Sequence, residues 1–165
     1  MTTTIPKLNP LNFKVPGVLM IGLLAAQFLF FGGEGGPEPE CILNVEHPHL
    51  STSLKETLGI NVIKLNITSI CNVPQIQTRL ASKILKSENS KESVAHVFPI
   101  RIVASTSKLP QTAFFKNIFI QCFPGVKASY RGFATGTVKL KNGAEVSVSG
   151  SSEKFVAVNC TIGAQ

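Results

Sequence analysis

Glu46-His47-Pro48-His49 is the one concentrated run of ligand-type side chains in this chain. Two histidines at i and i+2 on an extended segment point to one side and could share Zn²⁺ or Cu²⁺. A metal site needs a third ligand, and His96 is the candidate for it. Pro48 between the two histidines argues against a regular strand there. The plainer reading of His47 and His49 is a polar strand end closed by a proline turn.

Four cysteines, Cys41, Cys71, Cys122 and Cys160, are spaced 30, 51 and 38 residues apart. Zinc fingers and ribbons take their ligands in close pairs, which these gaps do not supply. An even number of cysteines on the apolar faces of predicted strands reads as two disulfides in an oxidising compartment. Three pairings are open. Cys41–Cys71 with Cys122–Cys160 is favoured, because each bond then joins strands within one half of the domain. Closing loops of that size stabilises by roughly 3–4 kcal/mol on the chain-entropy account.

A third group of residues forms a surface. Arg131, Thr135, Thr137, Lys139 and Lys141 alternate along one predicted strand, and Ser147 and Ser149 follow on the next. They make a flat, polar, basic stripe suited to an anionic partner, or to solvent alone.

Other chemistries find little support. The chain has no Asp, which removes the usual carboxylate of EF-hand loops, of Ser-His-Asp triads and of most Mg²⁺ sites. There is no G-x-S-x-G elbow, no P-loop and no H-E-x-x-H. The glutamates are scattered, so a glycosidase pair is not indicated. We expect neither enzymatic activity nor a cofactor. Asn66-Ile67-Thr68 and Asn159-Cys160-Thr161 match the N-glycan acceptor pattern. Asn66 is read as outward, and Asn159 as crowded by its cysteine neighbour.

The elements that must position these residues read as strands. Period-two alternation runs through residues 41–47, 60–71, 75–85, 94–104, 117–123, 129–141, 145–149 and 155–162. Ile76, Leu80 and Ile84 are expected to share one face, as are Phe98, Ile100 and Ile102. Ser51–Leu58 reads as a helical turn ended by Gly59. Asn142-Gly143 is the strongest hairpin signal. A three-residue loop, Asn142–Ala144, would set Leu140 opposite Val146 and keep the faces matched. Gly150-Ser151-Ser152 reads as the next turn, giving a final three-strand meander. Gly132 and Gly136 mark a bulge or a close backbone approach. About eight strands without crossover helices predict an all-β, antiparallel β-sandwich of Ig-like architecture.

Ahead of this domain lies the uncharged run Val18–Phe31, extended to 19 residues from Val15 to Gly33. That is long enough to cross a bilayer core of ~30 Å. Lys7 and Lys14 precede it, while Glu34, Glu38 and Glu40 follow it. Basic residues favour the cytoplasmic side. The expected plan is therefore a cytoplasmic tail at 1–14, a transmembrane signal anchor at 15–33 and a Gly/Pro/Glu linker at 34–40. An extracytoplasmic sandwich follows at 41–165. Gly33-Glu34-Gly35 is a poor signal-cleavage site, and cleavage there would instead release a secreted binding protein or inhibitor.

The formal charge is +7, and residues 100–165 hold eight bases against two acids. A basic exported surface suits anionic envelope polymers, lipid headgroups or an acidic envelope protein. Aromatics do not interleave with the bases, so nucleic acid is not expected. The reading is a non-enzymatic, membrane-anchored envelope module acting through a sheet face or edge, with homo-oligomerisation left open. A secreted inhibitor and a metal or redox enzyme using His47 and His49 are the alternatives.

Overall fold

The computed structural model describes residues 38–163. The proposed tail, the anchor and most of the linker lie outside the described residues. Among those described, no helix is long and apolar enough to cross a membrane.

The described residues form nine strands: β1 (Cys41–Val45), β2 (His49–Leu50), β3 (Val62–Cys71), β4 (Gln75–Glu88), β5 (Lys91–Ala104), β6 (Thr112–Gln121), β7 (Phe123–Leu140), β8 (Glu145–Ser151) and β9 (Val156–Thr161). A short helix, α1 (Thr52–Leu58), follows β2. The Ser51 hydroxyl accepts from the Leu54 N–H at its start, and Gly59 closes it in the left-handed region at φ 68°. The helical turn read from Ser51 to Gly59 is thus present.

All pairings are antiparallel, and the strands form two sheets. In the first, β3 is central, with β1 and β2 end to end along one edge and β6 along the other. The second runs β5-β4-β7, with β8 and β9 both on the far edge of β7. Between the sheets lie Val45, Ile63, Leu65, Ile67, Leu80, Ile84, Phe115, Tyr130, Ala134 and Val138, all buried. This is an all-β sandwich.

Both disulfides form with the favoured pairing. Cys41 and Cys71 face each other in the β1–β3 register. Cys122 sits where the chain leaves the first sheet for the second, and it bonds Cys160 of β9.

Four expectations are corrected. The β7–β8 loop has three residues, but they are Lys141–Gly143, not Asn142–Ala144. The Leu140 N–H donates to Ala144 O at 2.8 Å, the Gly143 N–H donates back to Leu140 O at 3.0 Å, and Gly143 takes φ 88°. A type I turn with a glycine bulge therefore places Val138, not Leu140, opposite Val146. The shift keeps parity, so the faces are unchanged, but Lys141 leaves the strand.

The final meander is absent. β8 pairs with the second half of β7 and β9 with the first half, so the two strands follow one another along one edge. Gly150 and Ser151 continue β8 where a turn was expected. Ser152 is buried there: its N–H donates to Gly132 O and its hydroxyl accepts from the Gly132 N–H, both at 3.0 Å.

Ile76 lies outside the core. It is the extra residue of a bulge, because Gln75 pairs with Leu140 and Gln77 with Lys139. Ile100 and Ile102 lie outside the core as well. Pro99 and Ile100 together oppose the single residue Ala81, since Leu80 pairs with Arg101 and Ser82 with Phe98. The bulge reverses parity, so Arg101 and Val103 take the inward phase and Ile102 the outward one.

Gly132 and Gly136 are sites of close approach, as read. A Cβ on Gly136 would collide with the Arg79 carbonyl and lie 2.7 Å from Leu80 Cδ2. A Cβ on Gly132 would strike Leu65 and stand 2.9 Å from Val45 Cγ1.

Gly136→Ala should destabilise by about 3 kcal/mol, the upper range for overpacking. Gly143→Ala, with open space around it but a positive φ, should cost about 1 kcal/mol. Urea midpoints under non-reducing conditions give the order, and equal losses would refute the close-approach reading. The chain's single tyrosine is wholly buried, and its hydroxyl accepts from the Ile162 N–H at 2.9 Å. Tyr130→Phe should cost about 1–3 kcal/mol by stranding that donor. The same titration checks this, and a neutral effect would show that the bond contributes nothing.

Candidate binding face

The outer face of the five-stranded sheet follows from the registers. Reading from β5 across β4 and β7 to β8, one row is Ile102, Arg79, Thr137 and Ser147, and another is Val97, Lys83, Phe133 and Ser151. Between them Ala81 pairs with Thr135, and Thr135 with Ser149. The face grades from an aliphatic column on β5, through cations on β4, to hydroxyls on β7 and β8.

At its centre is a shallow depression of about 160 Å³ lined by Arg79, Ala81, Ile100, Thr135, Gly136 and Thr137. Ala81 leaves it open, having only a methyl group on this face, while Gly136 contributes backbone alone. Ile100 supplies an apolar wall, while Thr135, Thr137 and Arg79 supply hydroxyls and a guanidinium. That set can accept a small acidic group beside an alkyl group.

The predicted stripe is only partly assembled. Thr135 and Thr137 line the depression. Lys139 is exposed on the same face but stands opposite Glu145. Lys141 lies in the hairpin loop, where its N–H donates to Pro74 O at 3.0 Å. Arg131 is committed elsewhere: its guanidinium stands 5.0 Å from the Phe155 ring centre and donates to Glu92 Oε2 at 2.9 Å. Arg79, Lys83, Ile100 and Ile102 were missed as members of the face. Lys83 lies over the Phe133 ring at 4.8 Å. Pro99 inside a strand pattern was the available signal, because proline in a sheet marks an edge or a bulge.

The histidines do not converge. His47 and His49 border a cleft of about 540 Å³ with Glu46 and Glu153, on the side of the sandwich where β1 meets β8. His49 Nδ1 bonds the carbonyl of His47 at 3.0 Å, and β2 pairs His49 with Lys64. His96 lies on β5 of the other sheet, edge-on to Phe98 at 4.7 Å. It lines a separate cleft of about 350 Å³ with Lys86 and Ser93. Among the described residues, no three His, Cys or Glu side chains form a group able to hold a metal ion.

Asn66 keeps the outward phase expected of it, and Asn159 is not crowded by its cysteine neighbour. Asn66 is half-buried and donates to Glu46 Oε2 at 2.7 Å, whereas Asn159 is exposed on β9.

No protein-family model matches the chain, and no curated protein matches it. Among solved structures, the chain is similar to the solution structure of a putative late embryogenesis abundant (LEA) protein. The likeness has 12% identity and a TM-score of 0.41, over 86% of this chain and 84% of that one. A likeness that remote carries no statement about function.

The Arg131–Glu92 pair is a surface contact, with side chains 29% and 45% exposed. Glu92→Gln should therefore change stability by less than ~1 kcal/mol. Arg131→Ala should cost more, because it also strips the packing on Phe155. Denaturation midpoints of the two variants decide this, and the reverse order would refute it.

Proposed function

We propose that the chain is a non-enzymatic, membrane-anchored binding module of the cell envelope, working through the outer face of its five-stranded sheet. The observation that carries this reading is the depression at Ile100, Arg79, Thr135 and Thr137, set between an aliphatic column and a hydroxyl-rich one. It offers apolar contact, cationic attraction and directional hydrogen bonds within one small area, the mixture that partner-binding surfaces use. The two disulfides support residence in an oxidising compartment. The anchor at 15–33 rests on hydropathy and on the charge flanks.

A face is favoured over an edge. β1 packs against β8, with Gly150 so close to Leu43 that a Cβ there would lie 2.7 Å from its carbonyl oxygen. On the other side, β5 carries Pro99 and the inward-phase Arg101, two devices that discourage strand addition.

The test uses the full chain in its native cells. A photo-crosslinking residue is placed at Thr137, or at Asn44, which is exposed on β1 of the other sheet. The expected result is a discrete adduct from Thr137 that Arg79→Glu abolishes, with none from Asn44. Equal labelling from both positions, or none from Thr137, would reject the face. In the same cells the cysteines should resist alkylation until reduced. Four free thiols would reject the compartment.

A further inference from the structure

Between Glu92 and Glu145 the sequence has no carboxylate at all. That stretch includes nearly all of β5 and the whole of β6. These two strands form one side of the sandwich, tied together where Arg101 Nη1 donates to Lys116 O at 2.8 Å. Along β5, Val94, Val97, Ile100 and Ile102 are 53–60% exposed. They extend over roughly 26 Å at strand rise. Arg79 and Lys83 of β4 flank this ridge on one side, and Arg101, at the edge next to β6, on the other. The two glutamates near the β4–β5 turn are both engaged, Glu88 by Lys86 at 2.5 Å and Glu92 by Arg131 at 2.9 Å. Carboxylates gather instead on the opposite side, where Glu46 and Glu153 share a cleft.

We infer that the β5–β6 flank seats against an anionic lipid surface, with the aliphatic ridge entering the headgroup–acyl boundary and the flanking cations meeting lipid phosphates. The inference rests on the proposed extracytoplasmic, membrane-held location. Charge complementarity selects the occupant. A bilayer offers an apolar layer beneath anionic headgroups on both sides of any line drawn across it, which is the arrangement of this flank. Long basic side chains keep their charge at headgroup level while their stems follow the apolar ridge. An acidic protein would have to supply both an apolar groove for the ridge and carboxylates on each side of it.

The chain has no tryptophan, so one introduced residue reports alone. Full-length Ile100→Trp and Ser147→Trp, the latter on β8 at the far edge of the same sheet, are incorporated into vesicles. One set is pure phosphatidylcholine and the other contains phosphatidylglycerol. Any N-terminal anchor holds the chain to both sets alike, so the difference between them reads the flank. The expected result is a blue shift of Ile100→Trp emission only with phosphatidylglycerol, reversed by high salt, with none from Ser147→Trp. Arg79→Glu with Lys83→Glu should weaken the response on the order of tenfold or more, at ~1 kcal/mol per basic residue. Ile102→Trp replaces Ile100→Trp if the latter does not fold. No shift, the same shift in both vesicle types, or an equal shift from Ser147→Trp would overturn the inference. A Thr137 crosslink to protein that persists without any lipid response would leave the binding-face reading standing and remove this one.

Discussion

The ladder along β7 is the constraint on which the rest of the second sheet depends. This 18-residue strand pairs with β4 on one edge and with β9 and then β8 on the other. A strand paired on both edges over that length is held in one register, since a slip of one residue would turn its buried set outward. Its inward residues, Tyr130, Ala134, Val138 and Leu140, are all buried. Gly132 and Gly136 remove side chains where the other sheet and the neighbouring strand come closest. The Cys122–Cys160 bond fixes the start of β7 to β9, and the buried Tyr130 hydroxyl holds the chain just after β9. The packed core and the outer surface with its depression are two sides of this one ladder.

Much of the fold was legible because burial against one sheet imposes a two-residue period. β1, β3 and the second half of β7 show that period without interruption, and their predicted faces are the observed ones. The errors cluster where one strand carries an extra residue. Ile76 and Ile100 both sit in bulges, and each looks like core in a sequence window that assumes unbroken alternation. Pairing in β9 was misread for another reason. Alternation reports which way a side chain faces, not which strand lies beside it. The β4–β5 turn escaped notice because Asn89-Ser90 lacks a glycine, although both residues take positive φ, 48° and 64°. The buried cluster of Ser69, Gln75 and Thr78 was also missed. These polar residues are tolerable inside only because they bond one another and Gln75 Nε2 reaches the Gln111 carbonyl at 2.7 Å.

The candidate site was half legible for the same reason. Thr135 and Thr137 were found because β7 alternates regularly there. Their neighbours Arg79 and Ile100 come from β4 and β5, and only the register brings them together. Ile100 and Ile102 would be core residues in a regular strand, and the bulge at Pro99 turns them to the surface. One local irregularity therefore reduces the core and creates the apolar half of the face. A bulge that merely cost stability would leave Ile100 and Ile102 exposed with no compensation. They lie beside Arg79 and Lys83, and it is this combination that the proposed binding role would use.

The arrangement of edges narrows how such a sandwich can meet a partner. An open antiparallel sheet ordinarily risks pairing with another chain through its last strand. Here β1 and β8 lean together on one side, so neither presents a clear row of backbone groups. On the other side, β5 is interrupted by Pro99, and Arg101 spans to the Lys116 carbonyl. An inward-phase cation on an edge strand would be carried into the middle of an extended sheet if a further strand were added, at a desolvation cost. Edge pairing is thus opposed by the residues that leave the outer surface of the same strand apolar. Under the proposed binding role, recognition would rest not on sequence-tolerant backbone pairing but on side chains of a face, where Arg79, Ile100, Thr135 and Thr137 can discriminate.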